Sequence, residues 1–241
     1  MTSASDDGAT DASLAVPTRA RTARWLRGSV AVALAALALA MTGCSTAADA
    51  PDAAGMTREQ VAELSLQDEF RLAGKRYEQG QALLAEAQRQ ISDGTWLWNG
   101  GDVRPLAAGG NAFGEAPDGA TTGNSYFFRA ARIIERDGAS DAAADLEPMQ
   151  RYFDDKGWRS GSAKVGTDLE VRADTGDGWW VTWSVRPNGQ SSIGVHSEAF
   201  WTNDTKALVR ATSVRDPATF PDASKPGVSE PFPEWSDPVR H

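Results

Sequence analysis

From Val165 to Val195 the chain alternates between apolar and polar residues, and few other patterns restrict a fold so tightly. Val165, Thr167, Leu169 and Val171 alternate with polar neighbours, as do Trp179, Val181, Trp183 and Val185, and again Ile193 and Val195. Successive side chains of a strand point to opposite faces, so this period of two buries one face of a sheet and leaves the other in water. Three antiparallel strands in a meander are predicted. Asp174-Thr175-Gly176-Asp177-Gly178 supplies the first hairpin turn and Asn188-Gly189 marks the second. An odd loop, Asn188 to Gln190, would set Val185 opposite Ile193 on the same face, and this is expected over a two-residue loop that would set it opposite Ser192.

The rest of the chain must cover that apolar face. Thr57-Arg58-Glu59-Gln60 has the spacing of a capping box. Leu66, Phe70, Ala73, Tyr77, Gly80, Leu84, Ala87 and Ile91 then recur at steps of four and three, tracing one stripe of a long helix that ends near Asp93-Gly94. The small residues at 73, 80 and 87 fit a helix lying on a sheet better than a coiled-coil seam. Gly80 marks either a close approach or a soft spot. Thr95 to Trp98 and Tyr126 to Ile134 read as strands, and residues 140–156 as a second helix with Leu146, Met149, Tyr152 and Phe153 on one stripe. The fold class expected is α+β, an antiparallel sheet of about five strands with both helices packed on it, in the order α-β-β-α-β-β-β.

At the N-terminus, Arg19, Arg21, Arg24 and Arg27 precede the uncharged run SVAVALAALALAM from Ser29 to Met41. A basic stretch before an apolar one is the order of a secretory signal. Sixteen residues, Gly28 to Gly43, separate Arg27 from Cys44, short of the roughly 20 a permanent bilayer-spanning helix requires. Met41-Thr42-Gly43-Cys44 resembles the bacterial lipobox, with methionine in place of the usual leucine. The resemblance implies that residues 1–44 hold a lipoprotein signal peptide and that Cys44 carries a diacylglyceryl thioether. Residues 45–56 read as a flexible tether, 57–215 as a single α+β domain and 216–241 as a Pro-rich irregular tail that Phe220, Phe232 and Trp235 could pin. The implied location is the extracytoplasmic side of the cell membrane, lipid-anchored.

Cys44 is the only cysteine, so no internal disulfide can staple the fold and its core must hold it. Beyond residue 44 the chain has 20 basic and 30 acidic residues, a balance that argues against nucleic-acid binding. The glycine-rich stretch from Gly100 to Gly123 lacks the Lys-Ser or Lys-Thr of a phosphate loop. There is no nucleophile elbow and no HExxH pattern, and with only His196 and His241 a histidine-rich metal site is ruled out. No cofactor is expected, and no catalytic motif.

A candidate ligand face remains. His196 and Glu198 lie on the face opposite Val195, near where Glu170, Arg172, Thr182 and Arg186 should project, and Trp180 and Phe200 fall on that same polar face. Such a cluster is what a solvated sheet face looks like, and it could also bind a ligand or pair an acid with a base. The main reading is a binding or accessory module of the cell envelope. The alternative is a small envelope hydrolase using His196 with Glu198 or Asp168. A two-lobed solute receptor is disfavoured, since one meander and two helices do not supply two lobes.

The order of these parts resembles a known family. The lipobox, the T-x-E-Q helix start, KRYEQGQALLAEAQRQI, TWLW, GNSYFF, a helix ending in GW, the meander and EPFPEW together are similar to the mycobacterial LppA-type lipoproteins and their actinobacterial relatives. The family carries a cysteine pair, one member after the first strand and one near the end of the last. The latter position corresponds to Ala199, so the resemblance implies the same envelope location without that bridge.

Overall fold

The computed structural model describes residues 50–100, 102, 104–109, 116–136, 143–215 and 221–240, all within one compact unit spanning 43–241. Cys44, the signal peptide assigned to 1–44, tether residues 45–49 and Phe220 lie outside the described residues.

The capping box at Thr57 forms as the sequence implies: the Thr57 N–H donates to Gln60 Oε1 at 2.9 Å and the Gln60 N–H to Thr57 Oγ1 at 3.3 Å. It starts only a short helix, α1 (Arg58–Ala62). A second cap, the Ser65 hydroxyl accepting from the Asp68 N–H at 3.2 Å, opens α2 (Leu66–Ile91). The single helix expected over 57–93 is therefore two, because Ser65 satisfies fresh N–H groups with an extended backbone. The middle of the α2 stripe is as read, with Phe70, Ala73, Tyr77, Gly80, Leu84 and Ala87 all buried, while at its ends Leu66 is exposed and Ile91 half-buried.

The main sheet has seven strands, all pairs antiparallel, in the order β10-β1-β4-β8-β7-β6-β5. They are β1 (Trp96–Trp98), β4 (Arg129–Glu135), β5 (Arg159–Val165), β6 (Asp168–Asp174), β7 (Trp179–Val185), β8 (Gln190–Ser197) and β10 (Ala223–Ser224). A small sheet, β2-β3-β9, joins β2 (Leu106–Ala107), β3 (Ser125–Phe127) and β9 (Phe200–Trp201). The α+β class and the antiparallel sheet stand, while the count and order of strands differ from the expectation. Tyr126 to Ile134 is not one strand: the chain leaves the small sheet at Phe127 and enters the large one at Arg129.

β5 has no apolar alternation because it is an exposed edge. It meets β6 through Gly166-Thr167, with Val165 paired to Asp168 and Gly166 at φ +63°. Val165 thus ends the edge strand, 57% exposed, and Thr167 lies in the turn, so neither belongs to the core stripe. The β7–β8 loop is odd, as expected, but spans Pro187 to Gly189: Arg186 N–H donates to Gln190 O at 3.0 Å. Val185 therefore faces Ser191, and Trp183 faces Ile193. Gly189 takes φ +81°, the left-handed position that closes such a loop, and the two-residue shift keeps every side chain on its expected face.

Helix α2 and α3 (Glu147–Asp155), which follows a 3₁₀ turn at Ala143–Leu146, cover the apolar face. Leu84, Ala87, Met149 and Phe153 meet Val171, Val181, Trp183, Ile193 and Val195 there. Each buried tryptophan withdraws about 150–250 Å² from water, worth about 4–6 kcal/mol before ordering costs. With Trp96, Trp179, Trp183 and Trp201 all fully buried, the fold has a core sufficient without a disulfide.

A second core gathers Phe70, Ala73, Tyr77, Tyr126, Phe128, Trp179, Phe200, Leu208 and Ala211. Its helix α4 (Thr205–Ser213), capped by Asp204 accepting from the Ala207 N–H at 3.0 Å, has no counterpart in the sequence reading. Both ends of the domain close this core. Phe232 and Trp235 pack on Phe70 with ring centroids 5.2 and 5.3 Å away, so the tail read as irregular is pinned and also supplies β10.

The stretch 50–56, read as tether, is docked. Asp52 accepts from the Ala54, Met56 and Trp201 N–H groups at 2.9, 3.0 and 3.1 Å and from Arg76 Nη2 at 3.2 Å. Neither side chain of this ion pair is more than 4% exposed.

Candidate functional site

The face of the main sheet turned away from α2 and α3 is organised by register. Arg129, His196, Trp180 and Asp174 form one cross-strand row over β4, β8, β7 and β6. The next row is Ala131, Gly194, Thr182 and Arg172, and the one after it Ile133, Ser192, Ser184 and Glu170. The middle row is small except for its arginine, so the sheet surface is hollow there. An open cleft of about 480 Å³ results, whose polar walls include Asp102, Arg129, Glu170, Arg172, Thr182 and His196.

Of the face expected from the sequence, four residues interlock. Arg172 Nη2 lies 3.0 Å from His196 Nε2, and the Arg172 guanidinium sits 4.0 Å from the Trp180 ring centroid. Trp180 is parallel to His196 within 6°, and Trp180 Nε1–H donates to Glu198 Oε1 at 3.3 Å. Burial lowers the Arg172 pKa, opposed by the carboxylates of Glu170, Asp174 and Glu198. Glu170 stands apart, accepting from the Ser184 hydroxyl at 3.2 Å. Arg186 belongs to the far end of the sheet, with Asp168 at 3.2 Å and Gln190 as partners.

Two expectations change. Phe200 is 1% exposed in the second core rather than on the polar face. Asp168 cannot act with His196: it lies six residues along β6 from Asp174, the residue level with His196, roughly 20 Å at strand rise.

Arg129 and Asp102 escaped the sequence reading. Arg129 shares the parity of Ala131 and Ile133 in β4 and could have been placed on this face had β4 been set beside β8. Asp102 fell within the glycine-rich stretch. It pairs with Arg132 at 2.5 Å, both side chains 1% exposed. Arg132 in turn lies 3.7 Å from the Trp98 ring centroid. Burial raises the Asp102 carboxyl pKa while Arg132 pulls it down. Among the described residues no group of His, Cys, Asp and Glu is placed to hold a metal ion, and no helix is long and apolar enough to cross a membrane. Asn203, which begins an Asn-Asp-Thr sequon, spends its amide on Val61 O, Leu64 O and Glu69.

No protein-family model matches the chain, and no curated protein does. Among solved structures it is similar to the crystal structure of LppA from Mycobacterium tuberculosis, a candidate lipoprotein, at 15% identity and a TM-score of 0.33, covering 59% of this chain and 89% of that one. A likeness this distant carries no argument about activity.

Proposed function

We propose that this chain is an extracytoplasmic lipoprotein, held to the membrane by acyl chains on Cys44, that serves as a binding or accessory module of the cell envelope through its open sheet cleft. The observation that carries the anchor is in the sequence: a basic stretch, an apolar run too short to remain as a span, and Met41-Thr42-Gly43-Cys44. A diacylglyceryl group supplies two chains, which hold firmly where one holds only marginally. What supports binding is the cleft that register opens between Arg129 and Arg172. His196 is already engaged by Arg172 and stacked on Trp180, an arrangement suited to positioning a guanidinium.

Intact-mass measurement on protein extracted from its native membrane tests the anchor. The expected product begins at Cys44 with a diacylglyceryl thioether, and Cys44→Ser leaves the membrane fraction. An unmodified thiol at position 44, or a mature start elsewhere, overturns the reading.

A further inference from the structure

Resting on the proposed anchor at Cys44, we infer that the surface formed by α4 and β2 docks onto a bilayer of anionic lipids. Lys206, Val209, Arg210 and Ser213 share one stripe of α4 that is turned away from the core, whereas Leu208, Ala211 and Thr212 are buried. That stripe and Leu106-Ala107 of β2 border an open groove of about 450 Å³, on whose β2 side Leu106 is 39% exposed. Lys206 and Arg210 are exposed, and no ion pair among the described residues engages either of them. α4 carries no acid, and none of the described residues lining the groove is Asp or Glu. In a chain of net charge −9 this is a basic patch with apolar neighbours. Such a surface suits a lipid interface, where cations meet phosphates and apolar side chains enter the acyl boundary.

The anchor brings that surface to the bilayer. Trp201 Nε1–H donates to Ala50 O at 3.0 Å, which fixes where the chain leaves the folded body towards Cys44. Trp201 is level with Ser125, and Leu106 with Phe127. Ser125 and Phe127 are two apart on β3, so the Trp201 and Leu106 side chains lie on one face of the small sheet. β2 and β9 flank β3, which sets them two strand spacings, about 10 Å, apart. Five residues, 45–49, separate Ala50 from Cys44, and so short a connector cannot carry the acyl chains more than about 20 Å away. The bilayer is thereby held beside the groove at high effective concentration. Two cations too weak to recruit the protein alone then suffice to set how an anchored domain is turned.

The test uses protein extracted from its native membrane and reconstituted into vesicles of phosphatidylcholine, with or without phosphatidylglycerol. A fluorophore is attached through Thr122→Cys, an exposed position that lines the groove, and in a second sample through Lys164→Cys on the exposed strand β5. Nitroxide-headgroup lipids should quench the Thr122 probe more strongly on phosphatidylglycerol vesicles than on phosphatidylcholine alone, and high salt should reverse the difference. The Lys164 probe should respond equally to both. Lys206→Gln with Arg210→Gln should lower the ratio of docked to undocked protein about 30-fold, with thermal unfolding unchanged because both side chains are exposed. Equal quenching of the Thr122 probe on the two lipids, or a double variant quenched like the parent, overturns the docking surface while co-flotation with the vesicles keeps the anchor. Protein that fails to float with either vesicle overturns the anchor and this inference together.

Discussion

The two halves of α2 are buried by different kinds of neighbour. Around Leu84 and Ala87, the helix lies on the meander and α3, whose elements follow one another closely in sequence. Around Phe70 and Tyr77, it is enclosed by segments from both ends of the chain. Asp52 reaches the Trp201 N–H, Thr202 donates to Glu69, and Tyr77 donates to Glu230 O at 2.6 Å. Around Leu84 apolar area does most of the holding, whereas around Phe70 and Tyr77 a second apolar core is joined by buried polar groups that must all be satisfied at once. Apolar packing degrades gradually when altered, whereas a buried ion pair that loses one partner leaves an uncompensated charge behind.

The largest test of this contrast is Asp52→Ala, which strands the Arg76 guanidinium and should cost about 3–5 kcal/mol. Hydrogen exchange should show protection lost in 50–56 and 200–213 and retained in 169–195. Equal loss in the meander would erase the distinction between the halves. Gly80→Ala probes the junction, since a Cβ there would stand 2.5 Å from the Trp179 indole, and should cost about 1–3 kcal/mol by chemical denaturation. The loss should be smaller than additive in a double variant with Trp179→Phe, which makes room for the methyl.

The smallest effect at neutral pH is the most selective. Burial pushes the Tyr126 hydroxyl up to about 12, even though it accepts from Arg76 Nη1 at 2.7 Å. Because the folded value exceeds the unfolded one of about 10, the stability linked to this proton is complete below pH ~10 and is lost as pH rises through about 12. Tyr126→Phe should flatten the alkaline limb of a urea-unfolding series, whatever it does to the level at pH 7. Burial also raises Tyr77 and Tyr152, so part of the slope should remain.

The same contrast governs what the sequence discloses. The α2 stripe and the faces of β6, β7 and β8 follow from periodicity, because each needs only neighbours at i+2, i+3 or i+4. β5 was silent because an exposed edge strand has no apolar face to repeat. α4 was legible in principle: Asp204 is a good cap, and Leu208, Ala211 and Thr212 line one buried side. The docking of Asp52 leaves no local trace, since Ala-Pro-Asp-Ala-Ala-Gly reads as linker and its partners lie 24 and 149 positions away. In the candidate site, Glu170, Arg172 and His196 were reachable by parity within the meander. Arg129 and Asp102 come from strands and loops that only the tertiary fold sets beside it.

The docking of Asp52 also has a mechanical consequence. With Ala50 O already bonded to the Trp201 indole N–H at 3.0 Å, at most five residues, 45–49, lie between Cys44 and the folded body. A stretch of that length can reach at most about 20 Å, half of what the full span to Met56 would allow. With the proposed anchor on Cys44, a pull from the bilayer would enter the domain beside an interior ion pair, so a moored copy would ride low, tethered through its own foundation rather than from a loose end.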